Sequence, residues 1–337
     1  MRGYLVKRII VSLIILWIIA SLNFVIFQVV SPVSPEESIL PPGGGDDASM
    51  REARAILRRL YGLDEPIYIR YVKYVQNMFT WNFGTSFRSM KSVSGEMSWR
   101  MSNSILLLGL AEIATILVGI PIGIFAASRR GTKIDVATIG AGLLTWGVPT
   151  FFIQLLALLV FAYYSYVWFG FSLFPTRGIY SIPPPADPVG FVADVAWHLA
   201  LPVGSLVLAG FGSWALYTRS ILLETLTQDY IVTARAKGLD ERTVLYRHAF
   251  RATLPPIVTV VALAVPGVVT GAMITEYLFN LPGIGQWYLT ALLSADYPVV
   301  QSVLFIYAML TIFANLFADI IYGVLDPRIR VGQGSGR

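Results

Sequence analysis

An all-α membrane protein with six transmembrane helices and both termini in the cytoplasm is the fold this sequence predicts. Three observations carry the prediction. Of the 337 residues, 55% are hydrophobic and only 13% are charged, whereas a soluble chain carries roughly 25% charged residues. A soluble domain of this length would still have to cover itself with polar groups, and a bilayer removes that need. Next, six stretches reach the length of about 20 apolar residues, at about 1.5 Å rise each, that a membrane-crossing helix requires. Finally, Lys and Arg cluster beside alternate stretches, the sided pattern that sets membrane orientation.

The stretches run from about Ile9 to Val30, Ile105 to Ala127, Val136 to Phe161, Leu199 to Leu223, Ile257 to Phe279 and Val299 to Leu325. The first follows Arg2, Lys7 and Arg8 as a signal peptide would. Its apolar run is too long for one, and Ser31-Pro32 follows in place of a small-x-small cleavage site, so it reads as a retained helix. One set of loops carries Arg129, Arg130 and Lys133, then Arg235, Lys237, Arg242, Arg247 and Arg251, then Arg328 and Arg330; the short loops of the other set hold only Arg177. The basic set marks the cytoplasmic side. The organisation is therefore an N-terminal helix over 1–30, an extracytoplasmic segment over 31–101, a five-helix core over 102–325 and a cytoplasmic tail over 326–337.

The extracytoplasmic segment exceeds about 60 residues, beyond which the charge rule lapses, and its acidic residues nearly cancel its basic ones. Pro41 to Gly45 is a breaker. Asp46 to Leu60 reads as an amphipathic helix, acidic at its start and ending in Arg58-Arg59, with Gly62 closing it. Tyr68, Tyr71, Tyr74 and Phe79 suggest a second helix lying at the interface. Trp81, Trp99, Trp168, Trp197 and Trp287 read as aromatic belt anchors. Gly119 with Gly123, and Gly267 with Gly271, are spaced for close helix packing.

The cytoplasmic loop over 224–256 is the most informative segment. It reads Asp229-Tyr-Ile-Val-Thr-Ala-Arg-Ala-Lys-Gly-Leu-Asp-Glu241 and runs on to Leu254-Pro255-Pro256. Gly238 breaks it as a helix C-terminal residue of positive φ would. Beyond it, Leu239, Thr243, Tyr246 and Phe250 share one helical arc, and Asp240, Arg247, His248 and Arg251 share another. The pattern predicts helix, sharp turn, helix, and a Pro-Pro stop before the next span. A short amphipathic helix there is either a lipid-surface or solvated connector or a docking element held in another protein's groove.

This loop resembles the coupling loop of the inner-membrane permease subunits of binding-protein-dependent ABC importers, and is closest to the first permease of the oligopeptide/dipeptide/nickel branch. The branch pattern Tyr-x-x-Thr-Ala-Arg-Ala-Lys-Gly-Leu is matched by Tyr230 and Thr233 to Leu239, and its Arg-His-Ala and Leu-Pro elements by Arg247-His248-Ala249 and Leu254-Pro255. Val232 stands where the wider superfamily has Glu, and Thr233 where it has the first Ala; both departures are usual in the peptide branch. Further segments are similar to it: Leu60 to Pro66, Trp81 to Phe87, Phe174 to Gly178, His198 to Pro202, Pro282 to Gly285, Asp296 to Val300 and Leu325 to Arg330.

The resemblance implies a type I ABC importer permease fold with no catalytic centre, cofactor or metal of its own. It implies a second homologous permease, two ATPase subunits or domains that bind ATP and Mg, an extracytoplasmic solute-binding protein, and a place in the cell membrane. Thr233, Ala234, Arg235, Ala236, Lys237, Gly238, Leu239, Asp240 and Glu241 would be the ATPase-coupling residues. Ala234 and Gly238 would permit close approach, and Arg235, Lys237, Asp240 and Glu241 would supply polar contacts. The pore would form between the two permeases, mainly from helices two to six. The loop from Phe279 to Pro298 and the long outer segment are the positions for contacting the binding protein. Oligopeptides or dipeptides are the implied cargo; related permeases handle oligosaccharides or nickel chelates.

Other chemistries are weighed against this. The chain has no cysteine, so thiolate nucleophiles and disulfides are excluded. No Gly-x-x-x-x-Gly-Lys-Ser/Thr run is present to cradle phosphates, and Gly131-Thr132-Lys133 follows no predicted strand. His198 and His248 are the only histidines, on opposite sides of the membrane in this topology, and His-Glu-x-x-His is absent, which disfavours an intramembrane zinc protease. Glu112, Glu276 and Asp319 lie in or near apolar stretches, where a carboxylate is expensive. They permit a rival reading, a secondary transporter or channel driven by an ion gradient. Helix-end and helix–helix contacts are the alternative, favoured for Glu276 and Asp319 because the resembled family also carries acids there; Glu112 is left without a role.

Overall fold

A computed structural model of the chain describes residues 2–30, 51–52, 55–56, 58–59, 64–269 and 272–325. The Pro41–Gly45 breaker, Gly62, Gly271, the motif from Asp326 to Arg330 and much of the expected Asp46–Leu60 helix lie outside the described residues. What is described is helical, and the single β feature among the described residues is an isolated bridge between Thr85 and Ser92.

Helix α1 spans Arg2–Phe24 and ends in a π-helical turn, Val25–Val30; α2 is Ile67–Phe79, α3 Val93–Ser128 and α4 Lys133–Gly147. Helix α5, Thr150–Phe169, carries a π-helical turn at Leu159–Tyr164. Then come α6, Pro188–Thr225; α7, Asp229–Ala236; α8, Arg251–Val269; α9, Met273–Leu278; α10, Ile284–Leu293; and α11, Tyr297–Leu325. Five segments among the described residues are long and apolar enough to cross a membrane: Val6–Val30, α3, α5, α6 and Tyr297–Phe317. At about 1.5 Å per residue, the 36 residues of α3 and 38 of α6 reach well past a hydrocarbon core of about 30 Å.

Two predicted spans differ from expectation. The stretch Val136–Phe161 is not one helix. Val148, which precedes Pro149, is forced into extended backbone at φ −86 and ψ 128, so α4 stops at Gly147 and α5 starts afresh at Thr150. Helix α5 then continues to Phe169, where Gly170 ends it in the left-handed region at φ 77. The stretch Ile257–Phe279 is likewise divided, into α8 and the short α9, and does not count among the five.

The chain forms two compact units. One comprises residues 1–104, 269–273 and 282–337. Its core joins Leu16, Ala20 and Phe24 of α1 to Tyr74 and Met78 of α2 and to Val299, Val303 and Ile306 of α11. Helix α2 lies on α1: Phe24 meets the rings of Tyr71 and Tyr74 at 5.4 and 5.5 Å, and the Ser21 and Tyr71 hydroxyls are 2.8 Å apart. Trp287, expected at the membrane interface, is instead 8% exposed in this core, with the Arg100 guanidinium 5.0 Å above its ring. With its face covered by a cation and its body in the core, the indole does not serve as an interfacial anchor.

The buried carboxylate of Asp296 organises the loops of this unit. Ser86 Oγ donates to Asp296 Oδ2 at 2.5 Å, and the amides of Phe87 and Arg88 donate to its two oxygens at 2.9 and 3.4 Å. A carboxylate that accepts several donors is well satisfied without a cation. Two segments far apart in sequence, Trp81–Phe87 and Asp296–Val300, thereby meet.

The second unit comprises residues 105–268 and 274–281. Helix α6 is its spine. A Cβ at Gly119 would stand 2.5 Å from Trp214 Cβ, and one at Gly123 would stand 2.5 Å from the Ala215 carbonyl oxygen, so α3 and α6 touch as the spacing of these glycines predicts. On another face, Gly212 lies against Gly142 of α4, where a Cβ would be 2.6 Å from the Gly142 Cα. Arg219 clamps Asp135 of α4 with two donors, Nη2 at 2.8 Å, and the Gly131 amide caps the same carboxylate at 2.9 Å. Gln154 of α5 donates to Thr275 of α9 at 2.7 Å, and the neighbouring Glu276 is fully buried.

Because Gly123 abuts a backbone carbonyl that cannot rotate away, Gly123→Val should lower stability by about 1–3 kcal/mol, the range for overpacking. Gly140→Ala, where a Cβ meets nothing within 4 Å, should be neutral. Melting of the detergent-solubilised protein, followed by size-exclusion fluorescence, separates the two.

Candidate functional site

The segment after α6 folds into an elbow. Helix α7 runs from Asp229 to Ala236, and Gly238 follows at φ +76, its amide donating to the Arg235 carbonyl at 2.9 Å. A β-carbon disfavours that left-handed backbone by roughly 1–2 kcal/mol, which is why glycine ends the helix here. The Asp240 carboxylate then caps the next turn by accepting from the Thr243 amide at 3.0 Å. That turn, Glu241–Thr243, leads through a π-helical stretch, Val244–Phe250, directly into α8. Arg235 bridges the bend to Glu241 at 2.8 Å, an exposed pair of small energetic value.

What holds the elbow is apolar. Ile231 and Ala234 from α7, with Val244 and Ala249 from the π-helical stretch, pack on Ile124 and Ala127 of α3 and Leu222 of α6. Val244 and Ala249 are both buried while Tyr246 is exposed, because the wider turn made by i→i+5 bonds swings residues five apart toward one side. The arc Leu239, Thr243, Tyr246 and Phe250 is therefore split: Phe250 packs against this cluster, whereas Leu239 and Tyr246 look outward. Nor do Pro255 and Pro256 stop the helix. They lie inside α8, just after the π-helical widening, the kind of local distortion found where a ladder must absorb a missing donor.

Of the nine residues assigned to coupling, Thr233, Arg235, Ala236, Lys237, Gly238, Leu239, Asp240 and Glu241 are exposed on one continuous bend. Ala234 is not: at 6% exposure it belongs to the internal anchor, and its small size serves contact with α3 and α6. Asp240 is committed to its cap. The anchors Ile231, Val244 and Ala249 went unrecognised, although the i, i+3 pair Ile231/Ala234 was a signal that α7 has an inward face. Beside the elbow is a cavity of about 760 Å³ whose rim includes Arg129, Arg130, Arg235 and Arg242.

Five apolar helices of membrane length and an anchored, exposed elbow are the features of a multi-pass membrane protein. Comparison with known proteins makes this specific. Residues 119–331 match the family described as the binding-protein-dependent transport system inner membrane component, and residues 1–107 match the N-terminal region of such membrane components. The chain belongs to this family; it is a multi-pass membrane permease subunit of an ABC importer. It is 33% identical to the oligopeptide transport system permease protein AppB of Bacillus subtilis, covering 98% of this chain and 99% of that one. It is 30% identical to the dipeptide transport system permease protein DppB of the same organism, with coverage of 98% and 99%. It is 34% identical to the di/tripeptide transport system permease protein DppB of Pseudomonas aeruginosa, with coverage of 92% and 93%.

Two outcomes are expected of the elbow. Gly238→Val should strain it by about 1–2 kcal/mol through backbone alone, since a Cβ there meets nothing within 4 Å. Faster hydrogen exchange confined to residues 229–250 would register the strain. Hydrogen bonding from the Thr243 hydroxyl, and then from its amide, holds the Asp240 carboxyl below its ordinary pKa. Its folded pKa being the lower one, the cap contributes above the unfolded value and is lost as pH falls through the folded value. Protection of residues 241–250, corrected for intrinsic exchange, should therefore decline only in acid, and Asp240→Asn should remove that dependence.

Proposed function

We propose that this chain is the permease subunit of an ATP-driven peptide importer, that it forms one half of the translocation pathway with a homologous second permease, and that the Gly238 elbow docks on a separate ATPase. The observation that carries the reading is the elbow's construction. Its exposed crest bears Thr233, Arg235, Ala236, Lys237 and Gly238, while Ile231, Ala234, Val244 and Ala249 fasten it to the ends of α3 and α6. A partner gripping the crest cannot move it without moving both helices, which is how a closing ATPase would tilt the bundle between inward-open and outward-open arrangements. The absence of a phosphate-cradling Gly-rich run supports an ATPase located on other subunits, two in number, with ATP and Mg held there.

Peptide cargo is supported by the names of the relatives, which are permeases of oligopeptide, dipeptide and di/tripeptide transport systems. Six spans with cytoplasmic termini, and an extracytoplasmic binding protein delivering cargo to the outer loops, complete the proposal. The loops clamped by Asp296 are the surface offered for that delivery.

The chain's lack of cysteine makes the docking test direct. Ala236→Cys in the assembled transporter should cross-link to the ATPase with a short bifunctional reagent, whereas a cysteine at the opposite loop position Arg177 should not. Vesicles loaded with ATP should take up peptide, and an ion gradient alone should not support uptake. Uptake indifferent to ATP, or an Ala236→Cys variant that links to no ATPase, rejects the reading.

A further inference from the structure

Glu112, the carboxylate that sequence reasoning left without a role, stands on the wall of a cavity of about 300 Å³ between α3, α6 and α8 in the second unit. The polar part of that wall is one-sided. Trp214 Nε1 donates to Glu112 Oε1 at 3.2 Å, so the indole proton is committed. Thr115 Oγ1 donates to the Ala111 carbonyl at 2.6 Å, and Ser213 Oγ donates to the Gly210 carbonyl at 2.7 Å. With their protons turned into their own helices, both hydroxyls offer lone pairs to the cavity. Among the described residues that line it there is no Lys, Arg or His, and the remaining wall is largely apolar.

An ionised carboxylate at membrane depth is costly unless a positive charge answers it. This wall holds no such charge, and with Glu112 ionised its free polar atoms are all acceptors. Anions and acceptor-only groups are repelled. A group with one positive charge and several N–H donors is complemented, and a primary ammonium has three such donors. The space equals the share of about ten waters, enough for an ammonium and a neighbouring side chain.

We propose that this cavity is a binding site for a primary ammonium group of the transported molecule, with Glu112 as its charge partner and Thr115 and Ser213 as acceptors. The proposal rests on the reading of the cargo as peptide, whose ammonium is either the amino terminus or a lysine side chain. Glu112 acts as a specificity-determining contact in the pathway, separate from the elbow that couples to ATP.

The test uses the complete transporter with Ala264→Cys as a reporter in the cavity wall, unique in this chain because the chain has no other cysteine. Alkylation of that cysteine is followed on this chain after electrophoretic separation. A lysine-free peptide with a free amino terminus should slow alkylation by about tenfold, as expected for a charge-assisted contact. Its N-acetylated form should not. Glu112→Gln should abolish the protection, and Glu112→Asp, which keeps the charge, should retain part of it. An N-acetylated peptide containing lysine assigns the source: protection means that a side-chain ammonium also serves, and none means the amino terminus alone. Equal protection by the acetylated lysine-free peptide, no protection by any peptide, or protection that survives Glu112→Gln overturns the proposal. If the reporter resists alkylation, the uptake ratio of free to acetylated peptide decides instead, and a ratio unchanged by Glu112→Gln overturns it. Failure of the parent transporter to import any peptide would reject the cargo reading; import with an indifferent Glu112 rejects this inference alone.

Discussion

The second unit depends on how closely α3 and α6 approach. Gly119 and Gly123 leave no side chain between the helices, so Trp214 and Ala215 sit against bare backbone. Within lipid there is no hydrophobic drive to bring helices together, and such contact rests on van der Waals packing over small residues. The consequences are spread along the whole length of the pair. One end of the contact delivers the Trp214 indole to Glu112, about two turns before Gly119 on the same face of α3. The other end brings Ile124 and Ala127 beside Leu222, and that trio is the seat on which the elbow is anchored. A cavity wall and an anchored elbow thus share one cause in two glycines.

Much of this was legible in the sequence, for reasons that differ by element. Apolar runs of membrane length survive any detail of packing, so α1, α3, α6 and α11 fall where hydropathy puts them. The break before Pro149 did not show, because Gly147-Val148-Pro149 is apolar and a hydropathy window averages across it. Gly238 was read correctly from one local rule: glycine after a run of helix formers takes positive φ. The arc beyond it does not stay together because the π-helical turn is wider than an α-helical one, and nothing in the residue pattern distinguishes the two. Trp287 was misplaced for a related reason. Tryptophan favours interfaces, yet the cation that covers its ring comes from Arg100, far away in sequence.

The family assignment and the physical reading answer different questions. Belonging to the binding-protein-dependent transport membrane components says what kind of machine contains the chain. The geometry says which of its residues face outward and which are internal fasteners. Ala234 illustrates the difference: a position within a motif that looks made for contact is turned into the chain's own core, while its neighbours Thr233 and Arg235 remain on the crest.

The Asp296 clamp has an effect on association. A loop that must be frozen when a partner arrives forfeits chain freedom at that moment, and affinity falls accordingly. Here Ser86, Phe87 and Arg88 are already tied to a single buried carboxylate before anything arrives. The rim they form is held beforehand, so on the proposed reading an incoming protein would settle on a ready template and leave without the loop having to unravel.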